Sequence, residues 1–206
     1  KETGFAKKII GVDNKSENVQ AALELGWIDE TLPLIEAIKQ SELIVIAIPV
    51  DATLLLLPGL LSKLDKQVLM DVGSTKEIIC GSVVNHLNRG RFVATHPMWG
   101  TEKDGPESVV KNAFAGRVAV VCEKDKTDED ALQLVEGMYK TVGMQLVYMD
   151  AAIHDVHAAY VSHISHIASY ALSLTVLEKE KEEDAIFELA SGGFESTVRL
   201  AKSNPA

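Results

Sequence analysis

Leu43-Ile44-Val45-Ile46-Ala47-Ile48-Pro49-Val50-Asp51 is the stretch that decides the fold. Its apolar run is continuous, not alternating, and rich in β-branched residues, the pattern of a strand covered on both faces in a parallel sheet. Pro49 removes a backbone donor and turns the chain outward. It does so at the carboxyl edge, where open α/β sheets bind ligands.

Three shorter runs share this character: Ile9-Ile10-Gly11-Val12, Val68-Leu69-Met70 and Phe92-Val93-Ala94. Between the four lie Ser16 to Leu25, Leu32 to Lys39, Ala52 to Leu64 and Lys76 to Leu87, each with apolar residues at helical spacing. This rhythm predicts an α/β fold, a doubly wound, Rossmann-type parallel sheet. Two more strands are expected over Arg117 to Cys122 and Gln145 to Met149, with Thr127-Asp128 capping a helix that runs to about Thr141. From Ala151 onward strand signals vanish. A long helix through Glu180, a shorter one around Glu183 to Ala190, a Ser191-Gly192-Gly193 break and a last helix, Phe194 to Lys202, are expected. The expected organisation is a dinucleotide-binding domain over residues 1–150 and an all-helical domain over 151–206.

The whole chain has 206 residues, 47% of them apolar, and a formal net charge of −10. That charge repels phosphate backbones and anionic lipid, so neither nucleic acid nor a membrane is an expected partner. No apolar run reaches the roughly 20 residues that span a bilayer, and Lys1 to Lys8 lack a signal-peptide core, so a cytoplasmic location is expected. Cys80 and Cys122 form no CxxC and read as buried, reduced thiols.

Asp13 follows the first run, where an acidic residue can accept both hydroxyls of an adenosine ribose and favour NAD over NADP; alternatively it starts a turn. In this fold such an Asp lies about twenty residues beyond a GxGxxG turn, which would fall upstream of Lys1. The Gly-rich strand and turn are absent from the chain, and because that strand is central its absence is expected to split the sheet. The chain starts without Met and stops at Asn204-Pro205-Ala206 directly after a helical pattern, so both ends are expected to be cut.

The other strand ends carry the candidate chemistry. Asp71-Val72-Gly73-Ser74-Thr75-Lys76 combines a glycine that lets the backbone turn closely with a serine near a helix start, where it would otherwise serve as an N-cap. His96, lodged between a strand end and Pro97, is placed to accept a proton as hydride leaves a substrate.

Asp71 to Lys76, His96-Pro97-Met98-Trp99-Gly100-Thr101-Glu102 with Gly105-Pro106-Glu107, Ser162-His163-Ile164-Ser165-His166, and Gly192-Gly193-Phe194 with Arg199 to Ser203 resemble prephenate dehydrogenase, in that family's order and spacing. The resemblance implies NAD-dependent oxidative decarboxylation of prephenate to 4-hydroxyphenylpyruvate, in tyrosine biosynthesis. It implies His96 as the base that draws off the ring-hydroxyl proton, Ser74 as its helper, and His166 and Arg199 as substrate-binding residues, the arginine for carboxylate. It also makes Glu102 a candidate gate at the site mouth and Gly192 a substrate contact, with Asp13, Ile48, Pro49, Gly73 and Ser74 against the cofactor. The site is expected where the two domains meet, and a homodimer is expected through the helical domain. Trp99 stands where the family commonly has a smaller residue, to wall the pocket or pack between domains.

Helical arithmetic at about 100° per residue separates His163 from His166 by about 60° and puts His154 and His157 on a roughly opposite face, as a solvated helix start. No metal is expected, since this pair lacks a third ligand. Two rivals stay open: arogenate dehydrogenase, and a non-catalytic nucleotide-binding regulatory module if the phosphate-binding turn is truly missing.

Overall fold

The computed structural model describes residues 3–100, 105–181, 187–189 and 192–202. It divides into two compact units, residues 1–155 and 156–206.

Among the described residues the first unit carries seven strands: β1 (Ile10–Gly11), β2 (Glu30–Thr31), β3 (Leu43–Ile46), β4 (Val68–Asp71), β5 (Phe92–Pro97), β6 (Val118–Cys122) and β7 (Gln145–Met149). The helices of this unit are α1 (Ser16–Glu24), α2 (Leu34–Gln40), α3 (Val50–Leu61), α4 (Glu77–Ser82) and α5 (Glu129–Thr141), with α6 (Ala151–Ala158) starting in it. β3 to β7 form one sheet in sequence order, whereas β1 pairs only with β2, parallel, in a separate ribbon. The split expected of the sheet is therefore present. It leaves β3 at an edge among the described residues, which explains why Val45, in the most apolar run of the chain, is 46% exposed while β4 is buried throughout.

The sheet departs from all-parallel order at one place. β3, β4 and β5 run parallel, β5 and β6 pair antiparallel, and β6 and β7 are again parallel. No α-helix lies among the described residues that join β5 to β6, so a right-handed crossover does not reset the direction there.

Strand alternation sorts the core into two layers. Leu69, Phe92, Ala94, Val120 and Cys122 face Ile38, Leu57, Leu61, Ile79 and Val83 of the segments before and after β4. Val68, Met70, Val93, Ala119 and Val121 face Ala131, Val135 and Tyr139 of α5 on the other side. Both faces being covered, the inner strands are apolar along most of their length, and the buried polar residues Asp71 and Thr95 sit at the carboxyl ends of β4 and β5.

The second unit is helical: the rest of α6, a π-helical turn (Ala159–His163), α7 (Ile164–Glu180), a 3₁₀ turn (Phe187–Leu189), α8 (Gly192–Val198) and a final 3₁₀ turn (Arg199–Lys202). Gly192 and Gly193 open α8 and do not break the chain before it, a correction to the expected Phe194 start. Most of the helix expected around Glu183 to Ala190 lies outside the described residues. Among the described residues no helix is long and apolar enough to cross a membrane.

Candidate active site

The carboxyl end of β4 is anchored from below. Asp71 and Lys76 form an ion pair in which both side chains are wholly shielded from solvent. Lys76 Nζ also donates to the Thr95 carbonyl at 2.9 Å, and Asp71 accepts from Gly73 N at 2.9 Å and Thr95 N at 3.2 Å. Thr95 Oγ1 donates to the Asp71 carbonyl at 2.5 Å, so its 2.6 Å contact with Tyr139 is donated by the phenol. Burial pushes the Asp71 carboxyl above its ordinary range against the pull of Lys76 and these amides, and pushes Tyr139 up to about 12. The network ties β4 to β5 one residue before His96.

Gly73 makes the turn possible by its lack of a side chain: a Cβ there would lie 3.0 Å from Asp71 Oδ2 and 3.3 Å from Ile79 Cδ1. Ser74, next to it, is exposed. It is not the N-cap, because α4 begins at Glu77 and its first amides are held from a distant part of the chain. Asp155 does this, with Oδ1 accepting from Lys76 N at 2.6 Å and Oδ2 from Glu77 N at 2.9 Å. No hydrogen bond joins Ser74 to His96 among the described residues.

His96 instead meets a second histidine. Its Nδ1 lies 2.9 Å from His154 Nε2, with the rings edge-on at 72°, and His154 Nδ1 lies 2.7 Å from Asp155 Oδ1. His154 is 2% exposed, which corrects its placement at a solvated helix start. The first turns of α6 pack against the sheet, and Ala151, 4% exposed, is buried there as well. Burial works to raise the Asp155 carboxyl, but hydrogen bonds from Glu77 N–H, His154 and Lys76 N–H outweigh it and hold the group below its usual value. His154 and Asp155 back onto His96, and Asp71 and Lys76 hold the strand end beside it; sequence reasoning gave none of the four a place in the candidate site.

The expected cofactor residues stand at strand ends. Pro49 precedes the first turn of α3, with Ile48 38% exposed before it. Asp13 is exposed past β1, where Oδ1 accepts from Lys15 N at 2.7 Å and Oδ2 from Asn18 Nδ2 at 3.1 Å. Locally it makes the turn that was the alternative reading, with its carboxylate still at the surface. Trp99 lies under the Arg117 guanidinium, 4.6 Å from its ring centroid. Glu102 lies outside the described residues.

In the helical unit, His166 Nδ1 donates to the Ser162 carbonyl at 3.1 Å across the π-helical turn, Arg199 is exposed in the last turn, and Gly192 starts α8. Ser169, buried on α7, accepts from Ala201 N at 3.0 Å and so pins the Arg199 turn to that helix. Among the described residues no three His, Cys, Asp or Glu side chains gather as a metal site.

Residues 1–148 match the family described as prephenate dehydrogenase, nucleotide-binding domain, and residues 150–206 its dimerization domain. The chain is 32% identical to the prephenate dehydrogenase of Bacillus subtilis over 97% of its own length and 55% of that protein's. It is 29% identical to the one from Lactococcus lactis subsp. cremoris over 96% of its length and 54% of that protein's. It thus spans about half the length of the curated relatives it matches. The fold is similar to the crystal structure of Aquifex aeolicus prephenate dehydrogenase in complex with hydroxyphenyl propionate and NAD+, at TM-score 0.85 and 31% identity, covering 99% of this chain and 72% of that one. It is also similar to Synechocystis arogenate dehydrogenase, at TM-score 0.72 and 25% identity over 95% and 71%. Matched in both its sheet and its helical portion, the chain belongs to the prephenate dehydrogenase family.

Proposed function

We propose that this chain carries out NAD-dependent oxidative decarboxylation of prephenate to 4-hydroxyphenylpyruvate, with His96 as the general base. The observation that carries this is a histidine at the carboxyl end of a strand, braced on its far side by His154 and Asp155. Family membership and the ligands named for the Aquifex aeolicus structure support it.

The residues present fit part of NAD. The Asp13 carboxylate is at the surface past β1, ready to exchange its turn contacts for ribose hydroxyls, and Gly73 keeps the β4 turn free of a side chain. No GxGxxG occurs within these 206 residues, so the fit concerns the ribose and nicotinamide ends. When bound, NAD accepts the hydride that leaves the substrate ring.

His96 takes the ring-hydroxyl proton as the carbonyl forms, and loss of carbon dioxide then yields an aromatic ring. The protein's task is mainly orientation plus one base. Ser74, near the same edge, is proposed to help hold the hydroxyl. Arg199, His166 and Gly192, with Glu102, are proposed to contact the substrate; a planar guanidinium suits a carboxylate through paired, charge-assisted bonds.

The chain is further proposed to act as a homodimer through its helical portion. Tyr160, Val161, Ile164, Ile167 and Leu174 all lie outward there and more than half exposed, an apolar surface suited to a second copy. Two buried free thiols fit a reducing cytoplasm.

A spectrophotometric assay of the intact gene product with prephenate and with arogenate, each with NAD and NADP, tests the reading. Reduction of NAD dependent on prephenate is expected. A strong preference for arogenate would reassign the substrate, and no activity with either would favour a nucleotide-binding regulatory role.

A further inference from the structure

The geometry points to His154 and Asp155 as a positioning relay that fixes the tautomer of His96, leaving its Nε2 as the nitrogen that receives the substrate proton. This rests on the reading of His96 as the base.

Asp155 receives three donors: Lys76 N at 2.6 Å, Glu77 N at 2.9 Å and His154 Nδ1 at 2.7 Å. An ionised carboxylate only accepts, so the 2.7 Å contact requires a proton on His154 Nδ1. A neutral imidazole protonated on Nδ1 has its lone pair on Nε2. That lone pair faces His96 Nδ1 at 2.9 Å, so His96 must be the donor in this bond. A neutral His96 carrying its proton on Nδ1 has its own lone pair on Nε2. Each ring's tautomer is thus dictated by the one behind it, and the first is dictated by a carboxylate immobilised on two backbone amides.

During reaction the substrate O–H bond breaks as an N–H bond forms at His96 Nε2, and the oxygen's electron pair remains to form the carbonyl. His96 becomes an imidazolium whose Nδ1–H still points at the His154 lone pair. The positive charge is stabilised there by a neutral ring already oriented by Asp155, without a second proton transfer. This arrangement selects one proton site on the base and prevents ring rotation about the Cβ–Cγ bond. It also explains why a histidine is buried to 2% exposure next to an ionised side chain, where a packing role alone would favour an apolar residue.

The test uses the intact enzyme and three variants, with ¹⁵N NMR of the imidazoles as a second readout. His154→Phe keeps ring bulk but offers no acceptor. It is expected to lower kcat at least about tenfold, with KM changed by less than about threefold. His154→Gln, whose amide oxygen can accept from His96 Nδ1–H, should recover much of that loss. Asp155→Asn should fall between them. In the wild type the neutral His96 should show a protonated Nδ1 and an unprotonated Nε2, shifting toward the opposite tautomer in His154→Phe. The relay is overturned if wild-type His96 carries its proton on Nε2, a readout that needs no variant to fold, or if His154→Phe matches wild type in kcat. Should His96→Asn leave turnover intact, the assignment of the base falls instead, while the NMR readout still decides the relay.

Discussion

Lys76 and Asp71 meet in a space closed to solvent on all sides, with the Thr95 carbonyl as the ammonium's second partner. The pair is a bracket under the strand end that carries His96, and its two charges depend on each other. Removing one leaves the other buried and uncompensated, which typically costs about 3–5 kcal/mol. Lys76→Met should therefore lower the melting temperature by about 10 °C, given roughly 2–4 °C per kcal/mol at this size. Calorimetry checks it; a variant within about 2 °C of wild type would show that the bracket carries no such weight.

His96→Asn should reduce turnover by about a hundredfold or more while leaving substrate affinity little changed, because a base of the kind proposed acts on the proton and not on binding. Steady-state kinetics with prephenate measure both quantities. Unchanged kcat would remove His96 as the base.

Much of this architecture was legible in the sequence, for a reason visible at β4 and β5: a strand buried on both faces is apolar except where a polar side chain finds a buried partner, so Val68-Leu69-Met70 and Phe92-Val93-Ala94 announce themselves. Two-residue β2 has no such signature. The reversal at β6 is invisible because an apolar run carries no direction. The contacts behind His96 are invisible in the sequence because the partners lie 58 and 79 positions apart, His154 from His96 and Asp155 from Lys76, and helical periodicity says nothing of what a sheet will cover. The π-helical turn at Ala159–His163 adds a second failure, since an angle reckoned at about 100° per residue does not carry across it.

Arg199→Ala should mainly raise KM for the substrate, and Arg199→Lys should restore little, because an ammonium cannot reproduce a two-pronged bond to carboxylate. An unaffected KM would move carboxylate recognition elsewhere.

Asp13→Ala should erode discrimination between NAD and NADP by relieving the repulsion of a 2′-phosphate. The ratio of kcat/KM for the two cofactors is the measurement, and an unchanged ratio would leave Asp13 as a turn residue bonded to Lys15 and Asn18.

The two thiols should be inert in the native protein. Burial pushes Cys80 up to about 11 and Cys122 up to about 12, so at pH 8 neither supplies appreciable thiolate. Alkylation at that pH should label both only after denaturant is added. Rapid labelling of the folded protein would contradict their burial.

The antiparallel junction between β5 and β6 has a consequence for how this fold tolerates change. A crossover helix must reach a set distance and keep its own packing, which restricts its length. The segment after Pro97 is moored at both ends by the ladder itself, Met98 N to the Val118 carbonyl at 2.8 Å and Pro97 opposite Ala119. Residues added between those moorings would leave the register of β6 untouched, at an entropic cost that rises by only about 0.6 kcal/mol per doubling of loop length. Among the described residues the ladder therefore holds His96 in place whatever the length of the segment that follows it.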